Sequence, residues 1–382
     1  MLPTLLDGAR LVGRVWRADT DSPAVVIVRD GNLVDITTTV ATMADFLDAN
    51  DPVKIFDTAQ GKTLGPVEDF ILDSSEMGPR SNKSSLLAPC DLQALKACGV
   101  TFAQSMIERV IDERTLGDPE KADEIRKHIR ELIGGSLSNI EAGSKEAAKV
   151  KETLERENLW SQYLEVGIGP DAEVFTKAQP LSAVGYGADI GIHPMSKWNN
   201  PEPEIVIAVD SRGNIKGATL GNDVNLRDVE GRSALLLGKA KDNNASCAIG
   251  PFIRLFDDTF TLQDIETLTV SLSVTGLDNF SMAGHSNMSE ISRKPANLAA
   301  QTMDGSHQYP DGFMLFLGTM FAPTQDREEK GSGFTHKKGD IVEISTPLLG
   351  TLRNTVTYAN EARPWEYGIR AFMKDLNKKG LI

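Results

Sequence analysis

The chain has 382 residues, 40% hydrophobic and 25% charged, the composition of a globular protein with two domains or one large domain carrying an appendage. Forty basic residues against 54 acidic ones give a formal charge of −14, which argues against a nucleic-acid or membrane partner but allows a small acidic substrate. Cys90, Cys98 and Cys247 are odd in number and lack metal-ligand spacing, so they read as reduced, buried thiols in a cytoplasmic protein.

Residues 1–90 read as a small β-rich N-terminal domain. Leu11–Trp16, Ala24–Val28 and Leu33–Ile36 are predicted strands, with Asp30-Gly31-Asn32 as a hairpin turn and a short helix over Thr42–Ala49. Asp73–Ser85 is polar and rich in breakers, the signature of a linker or exposed loop. Residues 91–382 form the expected main domain, opening with helices. Ser105–Glu113 aligns Met106, Ile107, Val110 and Ile111 on one helical face. Asp118-Pro119-Glu120 is an N-cap with proline in first position, and Lys121–Arg156 reads as a solvated helical hairpin broken at Gly134-Gly135. Together these make a helical insertion over about residues 110–165. Beyond Val166 the chain is strand-rich, with one helix predicted at Glu230–Gly238 and closing strands at Gly339–Ile344 and Leu349–Tyr358. No run is apolar and long enough to span a bilayer, no signal peptide pattern opens the sequence, and no repeat is present. The fold class is α+β, mostly β and mostly antiparallel.

One hairpin carries the clearest chemistry. Glu204–Asp210 is rich in β-branched residues, Ser211–Asn214 is a turn, and Ile215–Asp223 runs back. A turn centred on Arg212-Gly213 sets Asp223 opposite Glu202 and Gly221 opposite Glu204. Alternation then gives Glu202, Glu204 and Asp223 a common face, with Gly221 leaving open space beside them. Three like charges so close call for something positive between them, and a hard divalent cation is the obvious candidate.

Lys177 and Lys241 are the basic residues that could join such a site, to anchor an acid substrate or move a proton. Glu173 sits in an apolar stretch that would raise its pKa and suit it to acid or base catalysis. His193 reads as a turn histidine, and Leu317-Gly318-Thr319 as a strand end able to hold a carboxylate. No Walker, Rossmann or G-x-S-x-G pattern occurs, which removes nucleotide enzymes and serine hydrolases.

The ordered set Phe175-x-Lys177, Glu202-x-Glu204, Gly221-Asn222-Asp223-Val224-Asn225-x-Arg227-Asp228, Lys241, Gly318-Thr319 and Gly339-Asp340 resembles the fumarylacetoacetate hydrolase superfamily. The resemblance implies that family's mixed β-sandwich roll and a Mg²⁺ ion (or Mn²⁺ or Ca²⁺) on Glu202, Glu204 and Asp223. It also implies a small 2-keto acid chelating that ion. Hydrolases of the superfamily carry a lid motif Y-A-x-H-x-x-E. Here Phe102-Ala103-Gln104-Ser105-Met106-Ile107-Glu108 keeps the glutamate and puts Ser105 in place of the water-activating histidine. Trp198–Glu204, Lys241–Pro251, Tyr309–Phe313 and Gly333–His336 resemble instead the 2-keto-3-deoxy-sugar-acid dehydratases, the last two its pentonate members. The implied reaction is dehydration of a 2-keto-3-deoxy-pentonate to 2-oxoglutarate semialdehyde, with Glu173 and Lys241 sharing the proton transfers. Thr319 would hold the substrate carboxylate, with Lys177, Ser105 and Glu108 around the substrate. An acylpyruvate-type C–C hydrolase or a 2-oxoacid decarboxylase is the alternative, and a homo-oligomer, dimer or tetramer, is expected.

Overall fold

The computed structural model describes residues 8–71, 82–102, 140–321 and 333–382, with 106, 107, 110, 127, 128, 131, 323 and 325–328. At the N-terminal end, β1 (Leu11–Arg17), β2 (Ser22–Arg29) and β3 (Asn32–Asp35) form an antiparallel meander. Two short helices follow, α1 (Met43–Asp48) and α2 (Pro52–Thr58), then β4 (Lys62–Pro66), β5 (Ser85–Leu87) and β6 (Ala94–Cys98). The short helix expected over Thr42–Ala49 is α1, with Thr42 as its cap. Asp51 caps α2 with Pro52 at its first turn, the same signal that the sequence reading used at Asp118-Pro119 and passed over here.

Helices α3 (Lys145–Arg156) and α4 (Gln162–Ile168) precede β7 (Val174–Ala178), β8 (Asp189–Ile192), β9 (Pro203–Val209) and β10 (Ile215–Asp223). Leu154, Leu159, Leu164 and Ile168 from this helical stretch pack with Met106 and Val110 in a small core of their own. The single helix expected over Glu230–Gly238 is instead α5 (Arg227–Glu230), a 3₁₀ turn at Ala234–Leu236 and α6 (Leu237–Lys241). Gly231 ends α5, and the Ser233 hydroxyl, accepting from Leu235 N, starts the next turn afresh. The remaining elements are β11 (Cys247–Leu255), α7 (Leu262–Ile265), β12 (Thr269–Thr275), β13 (Ser281–Asn287), α8 (Pro295–Thr302), β14 (Phe313–Phe316), β15 (Ile341–Thr346), β16 (Gly350–Tyr358) and α9 (Ile369–Lys378). α9 escaped the sequence reading; it buries only Phe372 and Leu376 and has no side-chain cap at Gly368.

The described strands make two sheets. The larger runs β4-β3-β2-β1-β11-β10-β9-β14-β6-β7, with β5 also on β1; the smaller runs β13-β12-β15-β16-β8. The first 90 residues, expected as a unit of their own, continue the larger sheet through antiparallel pairing of β1 with β11. Strand β9 is buried along its whole length. Its Ile205, Ile207 and Val209 join a core shared with Val270, Leu272 and Ile344 of the smaller sheet. Its Val206 and Ala208 face the other way, into a second core with Met43, Phe46 and Leu47 of α1. A continuous apolar strand is the expected sequence for burial on both faces.

Asp91 ties these parts together. Its carboxylate accepts from Met43 N (2.7 Å) and Ala44 N (3.1 Å) at the start of α1, 3.8 Å from the Arg14 guanidinium of β1. Both side chains are buried, so neither charge has water to fall back on. Asp91→Ala is expected to cost about 3–5 kcal/mol, since it orphans a buried cation and two helix donors. The midpoint of urea unfolding measures it; a loss under about 1 kcal/mol, the level of a surface pair, would contradict this account.

Candidate metal centre

The β9–β10 hairpin folds in the register that the sequence predicts near its open end. Gly221 pairs with Glu204, Asn222 with Pro203, and Asp223 N donates to Glu202 O at 3.1 Å. The ladder slips between Ile215 and Gly217, close to the turn, which leaves the carboxylate end unchanged. Glu202, Glu204 and Asp223 therefore gather, each offering an oxygen within 4.8 Å of the others. They are 2%, 0% and 1% exposed. One part of the expectation is overturned: Gly221 leaves no open space beside the carboxylates. A Cβ there would collide with the Phe316 ring and with Val206 Cγ2, so packing, not a chamber for the ion, demands the glycine.

Each acid is held by a different element. Glu204 Oε2 accepts from Gly318 N at 2.7 Å, and Thr319 Oγ1 lies 3.4 Å from Glu204 Oε1. Gly318 has φ +100, and a Cβ would run into Thr101 and the Gly99 carbonyl, so only glycine can bring that N–H to the carboxylate. Lys177, from β7, is 0% exposed and pairs with Asp223 Oδ1 at 2.8 Å. Its ammonium also donates to Val224 O (3.1 Å) and Lys241 O (2.5 Å). The residue expected to touch substrate is thus enclosed beneath the acids. Lys241, at the end of α6, donates to Glu202 Oε2 and to Asp223 Oδ2 (3.0 Å), with its ammonium 5.7 Å from the Phe175 ring centroid.

Charge and burial set the protonation states. Burial drives Glu204 well above the ordinary carboxylate range, and the Asp223 and Glu202 charges add to it. Burial also raises Glu202, against the pull of Lys241. Asp223 would rise on burial too, but Lys177 and Lys241 bring it below its usual value. Lys241 would be lowered by burial; Asp223 and Glu202 outweigh that and hold it firmly as an ammonium. With two ammonium groups beside them, the three acids fully ionised would carry one unbalanced negative charge, which a bound cation would neutralise. The donor set is all carboxylate oxygen, without imidazole or thiolate, and suits a hard ion of the Mg²⁺, Mn²⁺ or Ca²⁺ kind.

Glu173 stands just before β7, its carbonyl accepting from Gly99 N at 3.1 Å. A side chain at Gly99 would overlap the Glu173 carboxylate, so the glycine makes its berth. Burial raises the Glu173 pKa, and the charge of Glu230 raises it further, ahead of the opposing Lys241. Glu230 and Asn225 were missed as site residues. Asn225 Nδ2 donates to Glu202 Oε1 (3.0 Å) and to Glu230 Oε2 (2.6 Å). Asn225 and Glu230 are five residues apart across the start of α5, with Asn225 outside the helix, a spacing that gives no facing rule, so no sequence signal pointed to the pair. Ser105 and Glu108 lie outside the described residues. His193 Nδ1 accepts from Met195 N (3.2 Å) in a turn and joins no cluster of possible ligands among the described residues. An open recess of about 350 Å³ on the smaller sheet, lined by Ser271, Ser273, His285 and Glu343 among others, shares no residue with the carboxylate site.

The segment leading into Glu202 is fixed from the far end of the chain. Asn199 N donates to Thr335 Oγ1 and His336 N to Asn199 O, each at 3.3 Å. Asp340 anchors that loop, accepting from Arg327 Nη1 (2.6 Å), Arg327 Nη2 (2.7 Å) and Lys337 N (2.9 Å). The Gly339-Asp340 pair in the ordered motif set thus serves the frame around the acids.

The chain is similar to several known proteins. A 2-dehydro-3-deoxy-D-arabinonate dehydratase of Saccharolobus solfataricus is 33% identical over 180 residues, 47% of this chain and 57% of that protein. A probable 2-keto-3-deoxyxylonate dehydratase of Haloferax volcanii is 32% identical over 203 residues, 53% of this chain and 66% of that protein. The alignments thus span less than two thirds of either relative. A solved 2-keto-3-deoxy-D-arabinonate dehydratase, complexed with magnesium and 2,5-dioxopentanoate, superposes with TM-score 0.61 at 20% identity, covering 91% of this chain and 99% of that one. The fumarylacetoacetate hydrolase of Exiguobacterium antarcticum superposes with TM-score 0.55 at 15% identity, covering 91% and 99%, so the fold is common to both chemistries. The model of the fumarylacetoacetate hydrolase C-terminal family matches residues 139–357, more than half of the sequence, and the chain belongs to that family.

Proposed function

We propose that the chain is a divalent-cation-dependent hydro-lyase that removes water from a 2-keto-3-deoxy-pentonate to give 2,5-dioxopentanoate. The observation that carries this reading is the buried set of Glu202, Glu204 and Asp223 with Lys241 against it and a carboxyl of raised pKa, Glu173, beside it. The names of the two aligned relatives supply the substrate class. Bound at the three acids, an ion such as Mg²⁺ supplies Lewis-acid stabilisation of the negative charge that gathers on a 2-keto oxygen.

The chain's own groups do the rest. Lys177 keeps Asp223 ionised from below and takes no part in the proton transfers. Lys241 stays an ammonium and balances negative charge at the reacting end of the substrate. Glu173, as carboxylate, takes the C3 proton and returns it to the C4 hydroxyl as the C–O bond breaks, releasing water. Tautomerisation then carries the double bond to C4–C5 and on to the aldehyde. Thr319, half-buried next to Glu204, donates to the substrate carboxylate. A cytoplasmic homo-oligomer acting in pentose breakdown completes the proposal. The three buried free thiols and the exposed apolar Trp365, Ile369 and Met373 near the C-terminal end support those two attributes.

Purified protein incubated with Mg²⁺ and a 2-keto-3-deoxy-pentonate is expected to yield 2,5-dioxopentanoate, and EDTA to stop it; pyruvate release from acylpyruvates with no dehydration would sink the proposal. Asp223→Ala should abolish both Mg²⁺ binding and turnover, and full retained activity would reject the three-acid site. Because Glu173 must lose a proton first, and its pKa is raised, kcat/KM should climb with pH through a limb above the ordinary value of 4.5. Glu173→Gln should erase that limb and cut kcat by about 10²–10⁴-fold; a pH–rate profile with the limb intact assigns the proton transfer elsewhere.

A further inference from the structure

Glu230 has no place in the steps above, yet its carboxylate is joined to the metal centre. Asn225 is 0% exposed, and its backbone is fixed by a reciprocal pair with Asn200, N to O at 3.1 Å in each direction. What remains free is the orientation of the side-chain amide. A primary amide offers two N–H donors on one edge and an accepting oxygen on the other. Here both donors point at acids, one at Glu202 Oε1 and one at Glu230 Oε2, while the buried Asn225 Oδ1 finds no hydrogen-bond partner among the described residues. A buried amide that leaves its oxygen unsatisfied is held that way by something stronger, and an ionised carboxylate is an acceptor only. Turned over, the amide would aim its oxygen at two carboxylates.

We propose that Glu230 is a positioning residue for the metal centre, dictating through the Asn225 amide the orientation in which Glu202 presents its oxygens. The inference rests on the metal reading above and deepens it. Hydrogen bonds to ligating carboxylates typically govern metal affinity by 10–100-fold. Glu230 adds a constraint at one remove, from a helix, α5, that begins directly after the metal-bearing hairpin and its Asn225.

The test is a double-mutant cycle on the full chain, with Mg²⁺ alone as the probe and calorimetric affinity as the readout. Glu230→Ala and Asn225→Ala are each expected to weaken Mg²⁺ by about tenfold or more. The double variant should be no weaker than Asn225→Ala, with a cooperative melting transition showing that each variant is folded without metal. Affinity of Glu230→Ala within about twofold of the parent overturns the proposal. So does a full further loss when Glu230→Ala is added to Asn225→Ala, because Glu230 would then act on the ion through space. Should Glu230→Ala fail to fold, Glu230→Gln replaces it in the cycle. Its amide can donate as well as accept, so it no longer dictates Asn225, and the same failure to add is expected. A parent chain that binds no divalent cation defeats the metal reading itself, an outcome distinct from unaltered binding in the Glu230 variants.

Discussion

Three buried carboxylates gathered in one place set the terms for this molecule. Glu202, Glu204 and Asp223 come from two strands of one hairpin in the middle of the larger sheet, and none can relax into solvent. Burying like charges is costly unless donors and countercharges are arranged around them beforehand. Lys177 from β7, Lys241 from α6, the Gly318 N–H after β14 and the Asn225 amide after β10 meet that demand from four directions. The elements bearing them have little freedom to move apart, because each would leave a charge stranded.

The same arrangement separates two kinds of lysine. Lys177 has its contacts directed at the frame: a carboxylate, two backbone carbonyls and the Ser246 hydroxyl, with no exposed surface. Lys241 touches the acids too, but its ammonium lies 5.7 Å from the Phe175 ring centroid and its carbonyl is one of the two that Lys177 holds. One ammonium therefore fixes the backbone position of the other. Residue type alone did not reveal this division, and the sequence reading placed both lysines at the substrate.

The metal hairpin was legible because its signal is geometric: β-branched runs, a Ser211–Asn214 turn and two acids spaced by two residues determine a register, and a register determines a face. The helix after it was not, since Gly231 and Ser233 act as stop and restart signals within a pattern that otherwise reads as one helix. Glycines were read too simply. Gly221 looked like empty space and is filled by Phe316, whereas Gly99 and Gly318, which passed unremarked as glycines, are the ones whose missing side chains admit Glu173 and a backbone donor. Only long-range packing distinguishes these cases, and spacing along the chain carries no record of it. The Asn225–Glu230 link was hidden for a different reason. Asn225 stands just outside α5 and Glu230 at its end, five residues on, and no periodicity rule pairs side chains at that separation.

Strand β11 lies next to the carboxylate hairpin on one side and pairs with β1 on the other over Ile253 and Arg254. An unpaired strand edge is adhesive toward any other chain in extended form. Leu11 and Val12 therefore act as a partial shield: paired with Arg254 and Ile253, at the end of β11 away from Asp223, they occupy backbone donors and acceptors that would otherwise recruit a stray strand. The N-terminal segment thereby blunts part of the edge of the strand that flanks the carboxylate hairpin.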